Sequence, residues 1–304
     1  MGGQSQGFIL ICVLWVLALL TVITLGFGHR AMMERRVAAH GVDRLQTQYM
    51  ARGAIERGIQ ELRFKEIIDE IMDKEGRTSF DQRWNQPLNL LDGREGLYTL
   101  SGPQETRGET ARYRIRDEEG LICINNAPRR LLENIDGLGF RTIDDIMNRR
   151  ESTEGDGRAF LNIEELRTLR GVDDRVWYGR NGAAGLRDIL TVWGSDGDIN
   201  INTAPAAVLQ TIPDLRENDA DAIAALTRSG RGFSSIEELA DELELQPDVL
   251  STLRRHCKVD STRFRVTGIA TQRQGNVRAE VMAVVQAEEG MAELLDWRED
   301  VSGP

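Results

Sequence analysis

The sequence has few of the residues from which most catalytic centres are built. Its three histidines, His29, His40 and His256, are widely spread, and its three cysteines include no CxxC pair. The metal-protease helix motif, the phosphate-binding glycine loop ending in Lys-Ser/Thr and the Gly-x-Ser-x-Gly turn are all missing. Zinc, redox and nucleophilic chemistry therefore lack their usual sequence support. We predict a protein that is not an enzyme.

An excess of positive charge is also missing. The chain carries 49 acidic against 38 basic side chains, for a formal net charge of -11. Domains that bind nucleic acid are normally basic, because phosphate attracts Lys and Arg. Nucleic acid is therefore not an expected partner.

One long apolar run lies near the N-terminus. The stretch "FILICVLWVLALLTVITLGF", residues 8–27, contains no charged side chain. A helix of that length, rising ~1.5 Å per residue, spans a bilayer core of ~30 Å. In a secretory signal peptide small residues follow the apolar run, whereas Gly7 precedes this one. We predict a membrane-spanning helix, although Arg30, Arg35 and Arg36 after it would by the positive-inside rule keep the body in the cytoplasm.

The helix is predicted to continue to about Met72. Apolar residues recur near the 3.6-residue period of one buried face, at Leu45, Tyr49, Ile55, Ile59 and Leu62. A loop rich in Gly, Pro, Asn and Asp then ends the helix.

Short alternating runs predict strands on both sides of a helical region. "GLYTLS", "ARYRIRD" and "GLICIN" come first, and "EEG" separates the last two as in a hairpin. A second hairpin is predicted where "RFRVTGIATQ" and "VRAEVMAVVQA" flank "RQGN". The chain between the two hairpins is predicted to be helical.

The helical region contains an internal repeat. "LICINNAPRRLLENIDGL", residues 121–138, aligns with "DININTAPAAVLQTIPDL", residues 198–215, and places Asn125 on Asn202. Each copy brings a proline into the first turn of a helix, where a missing N–H costs nothing. Each is followed by a phrase with phenylalanine and paired glutamates, "RAFLNIEELRTL" and "RGFSSIEELADEL". We predict two similar helical lobes inserted between strands of one sheet.

The first copy also matches a helix-hairpin-helix motif. In "IDGLGFRTIDDIMNRR" the turn amides of such a motif would bind phosphate at a helix N-terminus. The second copy has "PDLREN" there and lacks both glycines, and Asp136, Asp144 and Asp145 surround the first. A hairpin kept for packing is the favoured interpretation. A membrane-anchored DNA-binding protein of the competence type is the alternative.

Two acidic loops are candidate calcium sites, and calcium is the one cofactor predicted. "SDGDININ" spaces Asp196, Asp198 and Asn200 as at the start of a calcium loop, although Ile201 replaces the expected glycine. "ESTEGDG" supplies a second cluster, Glu151, Glu154 and Asp156. Both stretches also fit solvated acidic loops.

Cys123 and Cys257 flank the helical insertion where the chain leaves and rejoins the sheet. In an oxidising compartment these two ends would allow a disulfide bridge. Two buried free thiols are the equally supported alternative.

Several of these features together resemble the K-type minor pseudopilin of bacterial type II secretion, over essentially the whole chain. They are Gly7 before the apolar helix, "YMARGAIERGI", the inserted lobes, "ININTAP" and the closing "LLDWRED". The resemblance implies an α+β fold, with a pilin-like long N-terminal helix packed on a small antiparallel sheet. A large all-helical domain of two helix-hairpin-helix-like (SAM-like) lobes would be inserted into that sheet.

The resemblance also implies how the chain is divided. The expected segments are a leader at 1–7, a transmembrane part at 8–27, its periplasmic continuation at 28–75, sheet at 76–125 and 258–298, lobes at about 126–195 and 200–257, and a tail at 299–304. A prepilin peptidase would cut between Gly7 and Phe8, and Phe8 would become N-methylated. Cys12 occupies the fifth mature position, where most pilin-like subunits carry glutamate and the K type does not. The leader departs from the family pattern because it has no basic residue.

The function implied is structural. Such a subunit joins the I- and J-type minor pseudopilins to cap the pseudopilus tip and to initiate assembly for protein export across the outer membrane. The major pseudopilin and the inner-membrane secretion platform are further implied partners, and calcium binding is known in the family. The implied location is single-pass in the inner membrane with the globular domain in the periplasm, which overrides the orientation expected from the arginines.

Overall fold

A computed structural model describes residues 5–74, 76–85, 97–98, 110–152, 159–180, 182–194, 197–271 and 277–302. The chain begins with helix α1, Ser5–Arg63, and after a break at Phe64 continues as the short helix α2, Lys65–Ile71. A 3-10 turn at Arg83–Asn85 follows, and then strands β1, Leu97–Tyr98, and β2, Thr110–Asp117.

Two helical lobes come next, each closed by a pair of short parallel strands. The first lobe contains β3 (Ile122–Cys123), α3 (Arg129–Glu133), α4 (Phe140–Glu151), a 3-10 helix (Ile163–Thr168), α5 (Asp174–Tyr178), α6 (Leu186–Ile189) and β4 (Leu190–Thr191). The second contains β5 (Ile199–Asn200), α7 (Ala206–Leu209), α8 (Glu217–Arg228), α9 (Ile236–Glu242), α10 (Pro247–His256) and β6 (Cys257–Lys258). In the first lobe β3 pairs with β4, and in the second β5 pairs with β6.

The chain ends in three long strands that complete the sheet. These are β7, Arg263–Thr271, β8, Arg278–Glu288, and β9, Met291–Ser302. The sheet order is β1-β2-β7-β8-β9, and every neighbouring pair is antiparallel. Because β2 and β7 are neighbours, both lobes leave and re-enter the sheet at one point, which confirms the predicted α+β fold with an inserted helical domain.

Three sequence predictions about the sheet can now be compared with the structure. The β7–β8 hairpin is confirmed, although its turn, 272–276, lies outside the described residues. The "EEG" hairpin is wrong, because β2 pairs with β1 and β7 while β3 pairs with β4. The expected tail at 299–304 is wrong as well, since β9 stays paired with β8 as far as Ser302.

The insertion is also longer than the predicted 126–257. It occupies 118–262, the residues between the end of β2 and the start of β7. The short strands β3 and β6, assigned from the sequence to the sheet region, pair within the lobes instead.

The second half of α1 packs across one face of the sheet. Its buried residues include Ala51, Ala54, Ile55, Ile59 and Leu62. The prediction is right for the last three and wrong for the two other residues it named, Leu45 and Tyr49, whose exposed fractions are 57% and 65%. The helix face against the sheet therefore combines two small alanines, Ala51 and Ala54, with the last three residues of the predicted stripe.

Two glycines permit this close approach of helix and sheet. A side-chain carbon at Gly268 of β7 would overlap the backbone carbonyl oxygen of Ala51. One at Gly58 of α1 would lie 2.5 Å from Cγ1 of Val266. Since backbone atoms cannot yield as a flexible side chain does, the absence of a side chain at 268 fixes how α1 sits on the sheet.

The two lobes share one hydrophobic core. Large side chains from both are fully buried in it, among them Phe160 and Trp177 from the first lobe and Phe233 from the second. Val284 of β8 belongs to the same cluster, and Leu295 of β9 packs against it. The lobes therefore form a continuous body that rests on the face of the sheet opposite α1.

Candidate functional site

The N-terminal part of α1 presents an apolar surface with no partner in the described chain. From Phe8 to Phe27 every side chain is exposed, for example Phe8 at 69% and Trp15 at 74%. Among the described residues one helix is long and apolar enough to cross a membrane, the stretch Phe8–Arg63, whose apolar window has a mean hydropathy of 3.0. The backbone of Gly7 lies within the same helix. This surface requires lipid or other apolar helices to cover it.

Three consecutive carboxylates are buried at the end of β2, where the insertion begins. Asp117, Glu118 and Glu119 are exposed by 4% or less, and we call them the acidic junction. A buried carboxylate is costly unless hydrogen bonds or a cation compensate it. Each of the three is compensated by groups from a different part of the chain.

Asp117 binds the start of the second lobe. Its Oδ2 accepts hydrogen bonds from Asn200 Nδ2 at 2.9 Å, from Thr203 Oγ1 at 2.6 Å and from Ser261 Oγ at 2.7 Å. Its Oδ1 accepts one from the backbone N–H of Glu119 at 2.8 Å. The carboxylate thus joins the last residue of β2 to the entry of the second lobe and to the segment leading into β7.

Glu118 and Glu119 bind the first lobe and the returning chain. Arg265 Nε of β7 lies 2.7 Å from Glu118 Oε1, and Thr191 Oγ1 of β4 donates to Glu118 Oε2. Lys258 Nζ of β6 lies 3.1 Å from Glu119 Oε2, which also accepts from the backbone N–H of Thr262 at 2.8 Å. The acidic junction therefore contacts both lobes and both edges of the opening in the sheet.

Burial raises the pKa of Asp117 to about 6, although the hydroxyls of Ser261 and Thr203 and the N–H of Glu119 favour its charged form. The charge of Glu119 raises it further. Sequence analysis missed this cluster. Its signal was present, because "RDEEGL" places three consecutive acids directly after a β-rich run.

The asparagines that define the repeat have the same role in both lobes. Asn125 Nδ2 donates to the backbone carbonyls of Phe160 at 3.0 Å and Val192 at 3.1 Å, and its Oδ1 accepts from the N–H of Phe160. In the second lobe Asn202 Nδ2 donates to the carbonyls of Phe233 at 2.9 Å and Val259 at 3.1 Å, and its Oδ1 accepts from the N–H of Phe233. Each asparagine holds the start of its lobe to the middle and the end, which is why the chain enters both lobes through nearly the same sequence.

The paired glutamates also have matching roles. Glu165 in the first lobe accepts from the backbone N–H groups of Leu161 and Asn162, in a capping box with Asn162. In the second lobe Glu238 accepts from the N–H of Ser234, while Ser235 Oγ accepts from the N–H of Glu238. These caps satisfy the unpaired N–H groups at the start of a helix.

The two helix hairpins keep one geometry with different residues. Gly137 before α4 has φ +80°, and Asp214 at the matching place before α8 has φ +64°. Both helices are 12 residues long. The first turn of α8 contains Glu217 and Asp219, whose charges disfavour a phosphate at this helix N-terminus.

The candidate calcium residues are only partly described. Asp196, Glu154 and Asp156 lie outside the described residues, whereas Glu151 is exposed and Asp198 is half-buried. Asn200 is buried, and its amide donates to Asp117, to Ser261 and to the carbonyl of Thr78. Asn200 thus has a structural role that needs no metal. Within the described part of the chain, no three His, Cys, Asp or Glu side chains are grouped as metal ligands.

The structure holds Cys123 and Cys257 as free, buried thiols. Cys123 lies in β3 opposite Thr191, and Cys257 lies in β6 opposite Ile199, so they belong to separate strand pairs of different lobes. The predicted bridge is not formed here, and the alternative of two buried thiols describes the structure. Burial raises the pKa of both thiols, which makes them less reactive.

Two comparisons with known proteins bear on this architecture. A family model described as a helix-hairpin-helix motif matches residues 195–258, the second lobe. Among solved structures, a chain of the GspK-GspI-GspJ complex from the type 2 secretion system of enterotoxigenic Escherichia coli is similar, with a TM-score of 0.61 and 14% sequence identity. The alignment covers 88% of this chain and 100% of that one. No curated protein matches the sequence. At this identity the structural likeness establishes the fold alone, a long N-terminal helix packed on an antiparallel sheet that carries a helical insertion.

The buried position of Asp117 predicts a pH dependence of stability. Because its folded pKa of about 6 lies above the usual value near 3.9, the folded state binds this proton more tightly. The contribution of Asp117 to the free energy of unfolding is therefore fully present below about pH 4 and falls as the pH rises to about 6, by up to about 3 kcal/mol. The measurement is the melting temperature in detergent of the unmodified chain minus that of Asp117→Asn. This difference should decrease as the pH rises from about 4 to about 6.

The exposed Asp260→Asn is the matched control and should show no such trend. A difference for Asp117→Asn that stays flat, or grows as the pH rises from about 4 to about 6, would contradict the assignment.

Proposed function

We propose that this chain is a minor pseudopilin of the K type, a non-enzymatic subunit of a type II secretion pseudopilus. The observation that carries the proposal is the insertion of both helical lobes between β2 and β7 of a sheet packed on a long N-terminal helix. The fold likeness extends over the whole of a chain from a GspK-GspI-GspJ complex. The apolar N-terminal helix preceded by Gly7 supplies independent support from the sequence.

The size of the insertion favours a place at the tip of the fibre. A subunit in the shaft of a helical fibre must fit between identical neighbours on every side. Here residues 118–262 form a body beside the sheet that such neighbours would have to accommodate. Cys12 stands where shaft subunits carry the glutamate that attracts a neighbour's N-terminus, which fits a subunit with nothing above it.

The same reasoning gives the partners and the location. The I- and J-type minor pseudopilins are the neighbours in the tip, the major pseudopilin forms the shaft below, and the inner-membrane platform drives assembly. Capping the tip and initiating assembly for export across the outer membrane are then the roles of this chain. The exposed helix at 8–27 anchors the protein in the inner membrane, and the sheet and lobes lie in the periplasm.

DNA binding is the second function considered, because a helix-hairpin-helix model matches the second lobe. The hairpin of that lobe has Asp214 in place of glycine, and α8 begins with Glu217. Phosphate contacts dominate affinity for DNA, and acidic residues at the contact point repel phosphate. The match is therefore explained by the helical architecture that both lobes share.

We further propose that calcium binds one of the acidic loops, with Asp196 and Asp198 or with Glu151, Glu154 and Asp156 as ligands. A chelator should then lower the melting temperature of the detergent-solubilised chain, and calcium should restore it. Magnesium should restore it poorly, because it requires a tight octahedral site. Asp198→Asn should lose the response if the first loop is the site. A melting temperature that does not change with chelator removes calcium from the account.

Processing of the N-terminus tests the proposed function. In a host with active prepilin peptidase, mass spectrometry of the membrane-extracted protein should find a terminus at a methylated Phe8. Gly7→Val should leave the leader attached, because a branched side chain crowds the peptidase subsite. Gly3→Val, a matched change within the leader, should not affect cleavage. An intact Met1 terminus on the unmodified chain would overturn the proposal.

A further inference from the structure

A buried loop follows helix α2. It comprises residues 76–85, which we call the strap and which form no helix or strand apart from the 3-10 turn at Arg83–Asn85. Four of its side chains are exposed by 3% or less, those of Thr78, Ser79, Gln82 and Trp84. Loops normally run over the protein surface, because a buried backbone needs a partner for every polar group. The partners of the strap therefore show what this segment connects.

The first half of the strap is bonded to the second lobe. The backbone N–H of Thr78 donates to the carbonyl of Val259 at 2.8 Å. The carbonyl of Thr78 accepts from Asn200 Nδ2 at 2.9 Å, and its hydroxyl accepts from the N–H of Ser261 at 3.0 Å. All three polar groups of Thr78 thus bind the segments where the chain enters and leaves the second lobe.

The second half of the strap is bonded to helix α2 and packed on the sheet. Gln82 Nε2 donates to Asp69 Oδ2 of α2 at 2.9 Å. Gln82 Oε1 accepts from the N–H of Ser79 at 2.9 Å and from Trp84 Nε1 at 3.0 Å. The ring of Trp84 lies 5.5 Å from that of Phe264 in β7, centroid to centroid. Gln82 therefore joins both halves of the strap to the helix that precedes it.

A glycine of the second lobe makes room for the strap. A side-chain carbon at Gly232 would lie 2.5 Å from Ser79 Oγ and 2.8 Å from Ser79 Cβ. The φ of Gly232 is not positive, so its backbone conformation does not itself require glycine. In the matching phrase of the first lobe, "RAF" stands in place of "RGF", and Ala159 replaces the glycine. The repeat thus lacks a methyl group at the place where the strap passes.

The strap gives the lobes a second attachment, separate from the acidic junction. The junction holds them to β2 and β7, whereas the strap starts from the helices. The hydrogen bonds from Phe64 N to Gln60 O, at 3.1 Å, and from Ile68 N to Phe64 O, at 2.9 Å, cross the break between α1 and α2. A displacement of the end of α1 is therefore passed to α2, and from Asp69 of α2 to the strap.

We propose that the strap couples the end of the long helix to the second lobe, so that a change at either one is transmitted to the other without passing through the sheet. Coupling between two sites is reciprocal, because both share one coupling free energy. Loosening the helix end of the strap should therefore loosen the second lobe, and a change in that lobe should loosen α2. The inference concerns this chain alone and does not depend on the proposed function.

The test is hydrogen exchange, measured by mass spectrometry on the full-length chain in detergent. Gln82→Met removes the hydrogen bonds at the helix end of the strap and keeps a side chain of similar length. Peptides that contain Ile201 and Ser261, whose N–H groups are bonded to Lys258 O and Thr78 Oγ1, should then exchange at least about tenfold faster. Gly232→Val changes the lobe end and should accelerate exchange in α2 by a similar factor.

Ala159→Val is the matched control, because it enlarges the corresponding residue of the first lobe, and it should leave exchange in α2 unchanged. Strand β8 is the internal reference, and its exchange should stay the same in every variant. If Gly232→Val does not fold, Gly232→Ala introduces the same first side-chain carbon with less bulk.

Three results would overturn the inference. One is faster exchange confined to the strap in Gln82→Met, with the second lobe unchanged. Another is an equal acceleration of α2 by Ala159→Val, which would show that the response does not come from the strap. The third is an equal acceleration in β8, which would show a loss of global stability instead of a connection between two sites.

Discussion

The structure depends on one buried interaction, the acidic junction at the end of β2. A sheet that opens between two paired strands to admit residues 118–262 must fix both the exit and the return of the chain. Asp117 binds the entry of the second lobe, Glu118 binds Arg265 of the returning strand, and Glu119 binds Lys258 at the end of the second lobe. The hydrogen bonds and ion pairs of these buried groups require a defined geometry. They therefore hold the lobes at one angle to the sheet, which apolar packing alone would not do.

From this fixed point the two lobes build a single body by repeating one device. Asn125 and Asn202 each bind both the N–H and the carbonyl of one phenylalanine, Phe160 and Phe233 respectively. Each thereby holds its lobe against a short parallel strand pair. The shared core then joins the lobes, and Leu295 attaches them to the sheet. The result is one body of two lobes on the sheet, which packs on the second half of a long helix whose first half is apolar and exposed.

The sequence was sufficient to predict the long helix, the inserted lobes and the β7–β8 hairpin, because periodicity, helix-entry prolines and turn residues are local signals. It was insufficient where partners are distant in the chain. The "EEG" turn resembled a hairpin because Arg265 and Lys258, which bind Glu118 and Glu119, lie far away in sequence. The burial of Asp69 in α2 was likewise hidden, since its partner Gln82 lies beyond a loop. The cleavage site, the calcium ligands and the tip position remain predictions.

The central claim is that this chain is a subunit of the type II secretion pseudopilus. Secretion by the native bacterium measures it most directly, as the fraction of an enzyme exported by that system that reaches the culture medium. The account predicts that deleting the gene leaves the enzyme in the periplasm and that a plasmid copy of the full chain restores its export. Undiminished secretion by the deletion strain would contradict the account.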